Sequence, residues 1–146
     1  MQHPRETYMA ALFGAVAAIQ SFATVGRRVV LPRAMSDVAK PALFMVDADE
    51  LYAYADHQQK VTLKVDLWIY TASGLDPNAV PAAELNLILD AVDAALRPGA
   101  ADLLRGNKFT LGGLVEHCRV PGRVLKDAGD VTGLGLAIVP VEMIVP

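Results

Sequence analysis

The sequence predicts an α+β fold in a single domain over residues 1–146, with a mixed or antiparallel sheet packed against two main helices. Three patterns carry this expectation. Val61, Leu63, Val65, Leu67 and Ile69 alternate with Thr62, Lys64, Asp66, Trp68 and Tyr70, the period of a strand with one buried face. Leu85, Leu89, Val92 and Leu96 recur at helical spacing. Leu134 to Val145 is nearly continuous apolar chain rich in β-branched residues, as in a strand covered on both faces. Helix, strands, helix, strands is the resulting order, and short strands joined by tight turns favour antiparallel or mixed pairing over repeated crossovers.

Taken in order, Pro4 to Gln20 reads as the first helix, with Tyr8, Leu12, Val16 and Ile19 on one stripe. Proline is tolerated in a first turn, where its missing N–H costs nothing. Alanines and Gly14 fill much of the rest, a surface that suits close approach by a sheet or a neighbouring subunit. Phe22 to Leu31 is expected to hold a short strand ending at Pro32, and Ala42 to Val46 a second between Pro41 and Asp47. Trp68 and Tyr70 give the outer side of the central strand an aromatic end, which predicts a cover there. Ser73 to Asn78 is a turn cluster leading into the second helix, Pro81 to Arg97, stopped by Pro98-Gly99. Along it, Asp93 and Arg97 have the spacing of a favourable pair. Ala100 to Thr110 reads as an irregular connection turning at Gly106-Asn107, and Leu114 to Val120 and Arg123 to Lys126 as strands around Pro121-Gly122. Asp127 to Gly133 has turn composition. Pro140 lacks a ladder donor and implies an edge or a bulge.

Composition narrows the function. With 146 residues, 53% hydrophobic and 20% charged, the chain is long and apolar enough to bury a core. Thirteen Lys and Arg against sixteen Asp and Glu give a net charge of −3, which offers no general attraction to nucleic acid phosphates. The apolar run Met9 to Ile19 is too short to span a bilayer as a helix. Glu6 cancels Arg5 where a secretory leader would be positive, so a soluble protein made inside the cell is expected.

The residues offer little that reacts. Glu116, His117 and Cys118 are consecutive, but on a strand His117 and Cys118 face opposite ways and share no site easily. Cys118 has no disulfide partner and reads as structural. Asp47, Asp49, Glu50 and Asp56 lack the spacing of a calcium loop and read as a solvated acidic surface. Gly112-Gly113 and Gly133-Leu134-Gly135 lack the spacing and the lysine of a phosphate loop, and suit tight backbone geometry instead. No catalytic residue, cofactor or metal is expected.

Charge is segregated along the chain. Arg27, Arg28 and Arg33, with Lys40, form a basic stretch, and Asp47, Asp49 and Glu50 begin an acidic one. Two such segments suit head-to-tail contact between identical subunits, or are two independent solvated loops. These six residues, Arg27, Arg28, Arg33, Asp47, Asp49 and Glu50, are the candidates for contacts between subunits.

Val61-Thr-Leu-Lys-Val-Asp-Leu-Trp-Ile-Tyr70, the helix around Leu85-Asn-Leu-Ile-Leu-Asp-Ala-Val-Asp93, the segment Phe109-Thr-Leu-Gly-Gly-Leu-Val-Glu-His-Cys-Arg119 and the apolar last strand together resemble a known family. The chain from about Pro41 onward is similar to the tail terminator proteins of long-tailed bacteriophages, the minor tail protein family of the lambda-type terminator. The resemblance implies a virion structural protein, without cofactor or catalysis, that forms a six-fold ring on the finished tail tube. It ends tube polymerisation and presents the surface onto which the head connector docks, with DNA passing through the ring. The expected partners are further copies of the chain, the tube protein and a neck protein, with no membrane and no sequence-specific nucleic acid. The expected location is the neck end of the virion tail, and the host cytoplasm during assembly. A neck or tail completion protein is the neighbouring alternative, and a small homo-oligomeric enzyme with a site between subunits is the alternative of another class.

Overall fold

The computed structural model describes residues Met1–Pro146. In chain order the elements are α1 (Arg5–Ala17), β1 (Thr24–Gly26), β2 (Ala42–Ala55), β3 (Gln58–Ala72), α2 (Pro81–Ala95), β4 (His117–Arg119), β5 (Leu125–Asp127) and β6 (Leu134–Val145). Short 3-10 segments lie at Pro32–Ala34, Asp37–Ala39 and Ala100–Arg105. The strands form one mixed sheet in the order β1-β2-β3-β6-β4, with β5 also pairing to β6. Only β1 and β2 are parallel; every other pair is antiparallel. The α+β class, with two main helices, is the one the sequence predicts.

The strand at the centre is β3. Its odd-numbered residues Val61, Leu63, Val65, Leu67 and Ile69 are buried in the main core with Tyr8, Leu12 and Val16 of α1 and Leu85, Ile88 and Val92 of α2. Both helices therefore cover the same face. Register puts Val145, Met143, Val141, Val139 and Ala137 of β6 beside those residues, so the core face runs unbroken across both strands. The opposite face is covered at one end only, where Val29 and Met35 pack against Phe44, Tyr70 and Trp68. That is the cover the aromatic end of β3 predicts.

Several boundaries differ from expectation, each for a local reason. The strand expected over Phe22 to Leu31 shrinks to Thr24–Gly26, because the chain from Arg27 leaves the sheet to cover its outer face. The short run Ala42 to Val46 is only the start of a 14-residue strand, continued by polar and aromatic residues that no apolar pattern marks. Beyond Phe44, β2 has no strand on its outer side. The connection Ala100 to Thr110 is already folded: Asp102 is buried, accepting hydrogen bonds from the Thr110 hydroxyl and from the Gly99 N–H at 2.8 Å. The Thr110 hydroxyl oxygen in turn accepts the Gly113 N–H at 2.9 Å, which closes the Thr110-Leu-Gly-Gly113 turn. β4 and β5 are three residues each, shorter than their apolar runs suggest. Pro140 sits inside β6 rather than on an outer strand, yet β4 pairs residues 142–144 and β5 pairs residues 136–138. It thus falls in the gap between them, and its missing N–H disturbs no ladder.

Gly133 has a positive φ of 73°, and a β-carbon there would lie 2.4 Å from the Gly74 carbonyl oxygen. Only glycine allows this crossing, by which the Asp127 to Gly133 turn closes on the end of β3 through Ser73 N–H to Gly133 O at 2.9 Å.

Leu67 lies at the middle of the core and is fully buried, whereas Leu51 is 54% exposed. Leu67→Ala is expected to cost about 2–5 kcal/mol in urea unfolding, and Leu51→Ala to stay within about 0.5 kcal/mol.

Candidate functional site

The acidic stretch lies on a strand rather than in a loop. β2 and β3 form a long hairpin closed by a two-residue turn at Asp56-His57, both with positive φ. β6 ends beside Val61, the partner of Tyr52, so Ala53–Ala55 and Gln58–Lys60 extend beyond the sheet as a two-stranded arm. Leu51 through Gln59 are exposed on both faces, including Tyr52 at 46% and Tyr54 at 75%. The sequence carries a trace of the arm, since Tyr52 and Tyr54 alternate with Leu51, Ala53 and Ala55. No stripe of core residues marks it, because it has no core.

A bulge between Asp47 and Glu50 re-aims β2 at the root of the arm. On the helix side, Arg5 of α1 binds Glu50 through Nε–Oε1 at 2.6 Å and also meets the Tyr52 hydroxyl. The hydrogen bond and the nearby charge of Arg5 hold the Glu50 carboxyl below its ordinary pKa. Asp49, within the bulge, stands near Asp66, whose carboxyl is pushed up by burial and then by the Asp49 charge.

The six residues expected at subunit contacts fall into two groups. Arg27 is held within the chain: it pairs with Glu6 and approaches Asp47 at 3.8 Å. Glu50 is engaged by Arg5. One basic and one acidic candidate, Arg27 and Asp47, therefore face each other inside one copy. Arg28, Arg33 and Asp49 close no ion pair within the chain.

At the other edge of the sheet lies an open cleft of about 340 Å³ that sequence reading misses. It is lined by Asp93, Leu96, Arg97 and Pro98 at the end of α2, by Asn107, Lys108 and Phe109, and by β4 with Val120. Its charged lining is three cations, Arg97, Lys108 and Arg119, against the single carboxylate Asp93. Arg119 is bound to Glu142 of β6 at 2.6 Å, while Arg97 and Lys108 close no ion pair. Asp93 and Arg97 do not close the pair that their spacing suggests. These cations come from three separate segments, so no local signal announces the cluster.

His117 and Cys118 point to opposite faces, as strand geometry requires. Cys118 is buried in the core, and burial pushes its thiol up to about 12. His117 lines the cleft, where burial first, then Arg119 and Lys108, hold its imidazole below the ordinary range. Nothing pairs His117 with a nucleophile. No three His, Cys, Asp or Glu side chains gather as a metal-ligating group, and no helix is long and apolar enough to cross a membrane.

No family model matches the chain, and no curated protein matches its sequence.

Two measurements check this geometry. The Cys118 thiol is expected to resist alkylation in the native protein at neutral pH and to react on unfolding, because only the thiolate attacks. His117 binds its proton more weakly folded than unfolded, so stability falls as pH drops through the ordinary histidine range. The loss in urea midpoint between about pH 7.5 and about pH 5.5 is expected to shrink in His117→Gln.

Proposed function

We propose that this protein is a structural component of a phage tail, a terminator that assembles as a ring on the end of the tail tube and stops its growth. The observation that carries the reading is the arm. A two-stranded ribbon with both faces in water is marginal by itself, and Leu51 and Tyr52 at its root and Tyr54 along it present apolar surface that another chain would cover. A protein that works by covering and being covered needs such a feature.

Three further points support it. The four segments that resemble terminators become β3, α2, the turn into β4, and β6, which pack together around one core. The other half of the outer sheet face, with Thr62, Lys64, Asp66 and Ile144, is only half-buried and mixes polar with apolar groups, as suits a surface shared between wet and protein-covered states. The two sheet edges also differ in charge, so a contact joining one edge to the other is heterologous. Heterologous contacts close into rings or run on as filaments according to their rotation. A terminator needs closure, since a ring that ends a tube must not itself propagate.

In this reading Arg28 and Arg33 face the tube or a neighbouring copy. Both belong to the segment that covers the outer face and neither is engaged within the chain. Arg27 serves the fold, through Glu6 and Asp47.

The test is electron microscopy of isolated tail tubes with the purified protein added. Density confined to tube ends is expected; density along the walls, or bare ends, overturns the reading. The double variant R28E/R33E is expected to keep its urea midpoint and lose roughly tenfold or more in end occupancy, as reversed charges do at an interface. Unchanged occupancy would leave both arginines as solvated charges only.

A further inference from the structure

The cleft at the β4 edge gathers hydrogen-bond donors that the chain itself does not use. Arg97 follows α2, Lys108 leads into the Phe109 segment and Arg119 closes β4, so three separate segments supply cations to one concavity. Arg97 and Lys108 close no ion pair. Arg119 gives only its Nε–H to Glu142, which leaves the two Nη groups of its guanidinium free. His117 is half-buried in the same lining, and no hydrogen bond within the chain holds its ring. The charged groups around it are Arg119 on its own strand, Lys108, Arg97 and Asp93 across the cleft, Glu142 on β6 and the exposed Lys60–Glu116 pair.

We infer that this cleft binds a small phosphoryl-bearing anion, with Arg97, Lys108 and the free Nη groups of Arg119 as its donors. Three cationic groups from three segments suit a tetrahedral anion, which offers an oxygen to each; a carboxylate offers only two. The planar fork of an arginine matches two such oxygens at once, and hydrogen bonds between opposite charges are the strong ones. A cleft of about 340 Å³ lies at the lower end of the range for small-molecule sites. A nucleic acid fits less well. A duplex presents rows of phosphates to a broad basic face, whereas these cations line one concavity on a chain of net charge −3. Asp93 opposes the anion from the same lining, so binding is carried by the local donors and not by a general positive field.

His117 ties the site to pH. Without an anion, burial and the nearby cations keep its imidazole neutral below the ordinary range. An anion in the cleft favours the imidazolium instead, so a proton is taken up on binding. Affinity therefore rises as pH falls through the histidine range. The site makes no use of the tail reading, and capped or bare tube ends leave it standing alike.

Titration of the full chain with inorganic phosphate at constant ionic strength, followed by NMR, tests the site. Saturable shifts are expected at the amides of Arg97, Lys108 and Arg119 and at the His117 ring, with a Kd of about 1 mM or tighter. The variant R97Q/K108Q is expected to keep its urea midpoint and to bind at least roughly tenfold more weakly. R123Q/K126Q removes the same charge from the exposed segment beyond the cleft, and is expected to change affinity by less than about twofold. If R97Q/K108Q loses its fold, the shift map of the parent decides alone. Sulfate serves as the probe of pH, because it keeps its charge where phosphate titrates. It is expected to bind roughly threefold or more tighter near about pH 5.5 than near about pH 7.5, with the ratio falling toward one in His117→Gln. Shifts that climb without saturating, or equal losses in the two double variants, overturn the site. So does a short DNA duplex that moves these signals where phosphate does not. A pH ratio unchanged in His117→Gln overturns the part given to His117.

Discussion

The strict alternation of β3 is the constraint on which the rest of the structure depends. Because side chains in a strand alternate faces, a slip of one residue would move Val61, Leu63, Val65, Leu67 and Ile69 from the core to the opposite face. Each of these residues is matched by an apolar neighbour on β6, and Leu67 and Ile69 by Met45 and Leu43 on β2. Register is therefore fixed on both sides of the strand at once. Fixing it also sets which residues of β2 and β4 lie at the ends of common rows. That Glu50 and Leu51 at the root of the arm share rows with Cys118 and His117 is thus a consequence of core packing.

Burial changes along β2 in a way that divides its work. Ala42 to Met45 are buried and hold the strand to the sheet, whereas Leu51 to Ala55 are exposed. Between them the bulge and the Arg5–Glu50 pair set the direction in which the arm leaves. Exposed ion pairs contribute little stability because water and salt screen them. Their value here is orientation: Arg5 ties the root of the arm to α1, and Arg27 ties the start of the outer cover to both Glu6 and Asp47. Charges that close no pair within the chain include Arg28 and Arg33 on the outer cover, Asp49 and Asp56 along the hairpin, and Arg97 and Lys108 at the cleft.

Under the proposed reading, head-to-tail association suits this asymmetry better than pairing about a two-fold axis. A two-fold contact would set each edge against its own kind, acid against acid or base against base, and like charges brought together cost energy. The sequence suggests complementary patches, and the fold brings one residue of each together within a copy. Arg27 and Asp47 look like partners across an interface because they are twenty residues apart in different charge runs. In the fold they are neighbours in one copy. Two further unpaired cations, Arg97 and Lys108, lie far along the chain, where each is a lone charge among apolar and turn residues.

What the sequence by itself determines is whatever a short period or a turn residue encodes. The core face of β3, the buried stripe of α2, the full span of β6 and the opposed directions of His117 and Cys118 follow from alternation and helical spacing alone. The α+β class follows from their order. Only the tertiary structure decided the second half of β2, the ordering of Ala100 to Thr110 through Asp102, the harmless placing of Pro140 and the gathering of Arg97, Lys108 and Arg119. The physical reason is shared: each depends on groups brought together from distant parts of the chain, or on a surface that the fold leaves in water. Local pattern records the water that a residue leaves on folding, and an arm that stays in water leaves no such record.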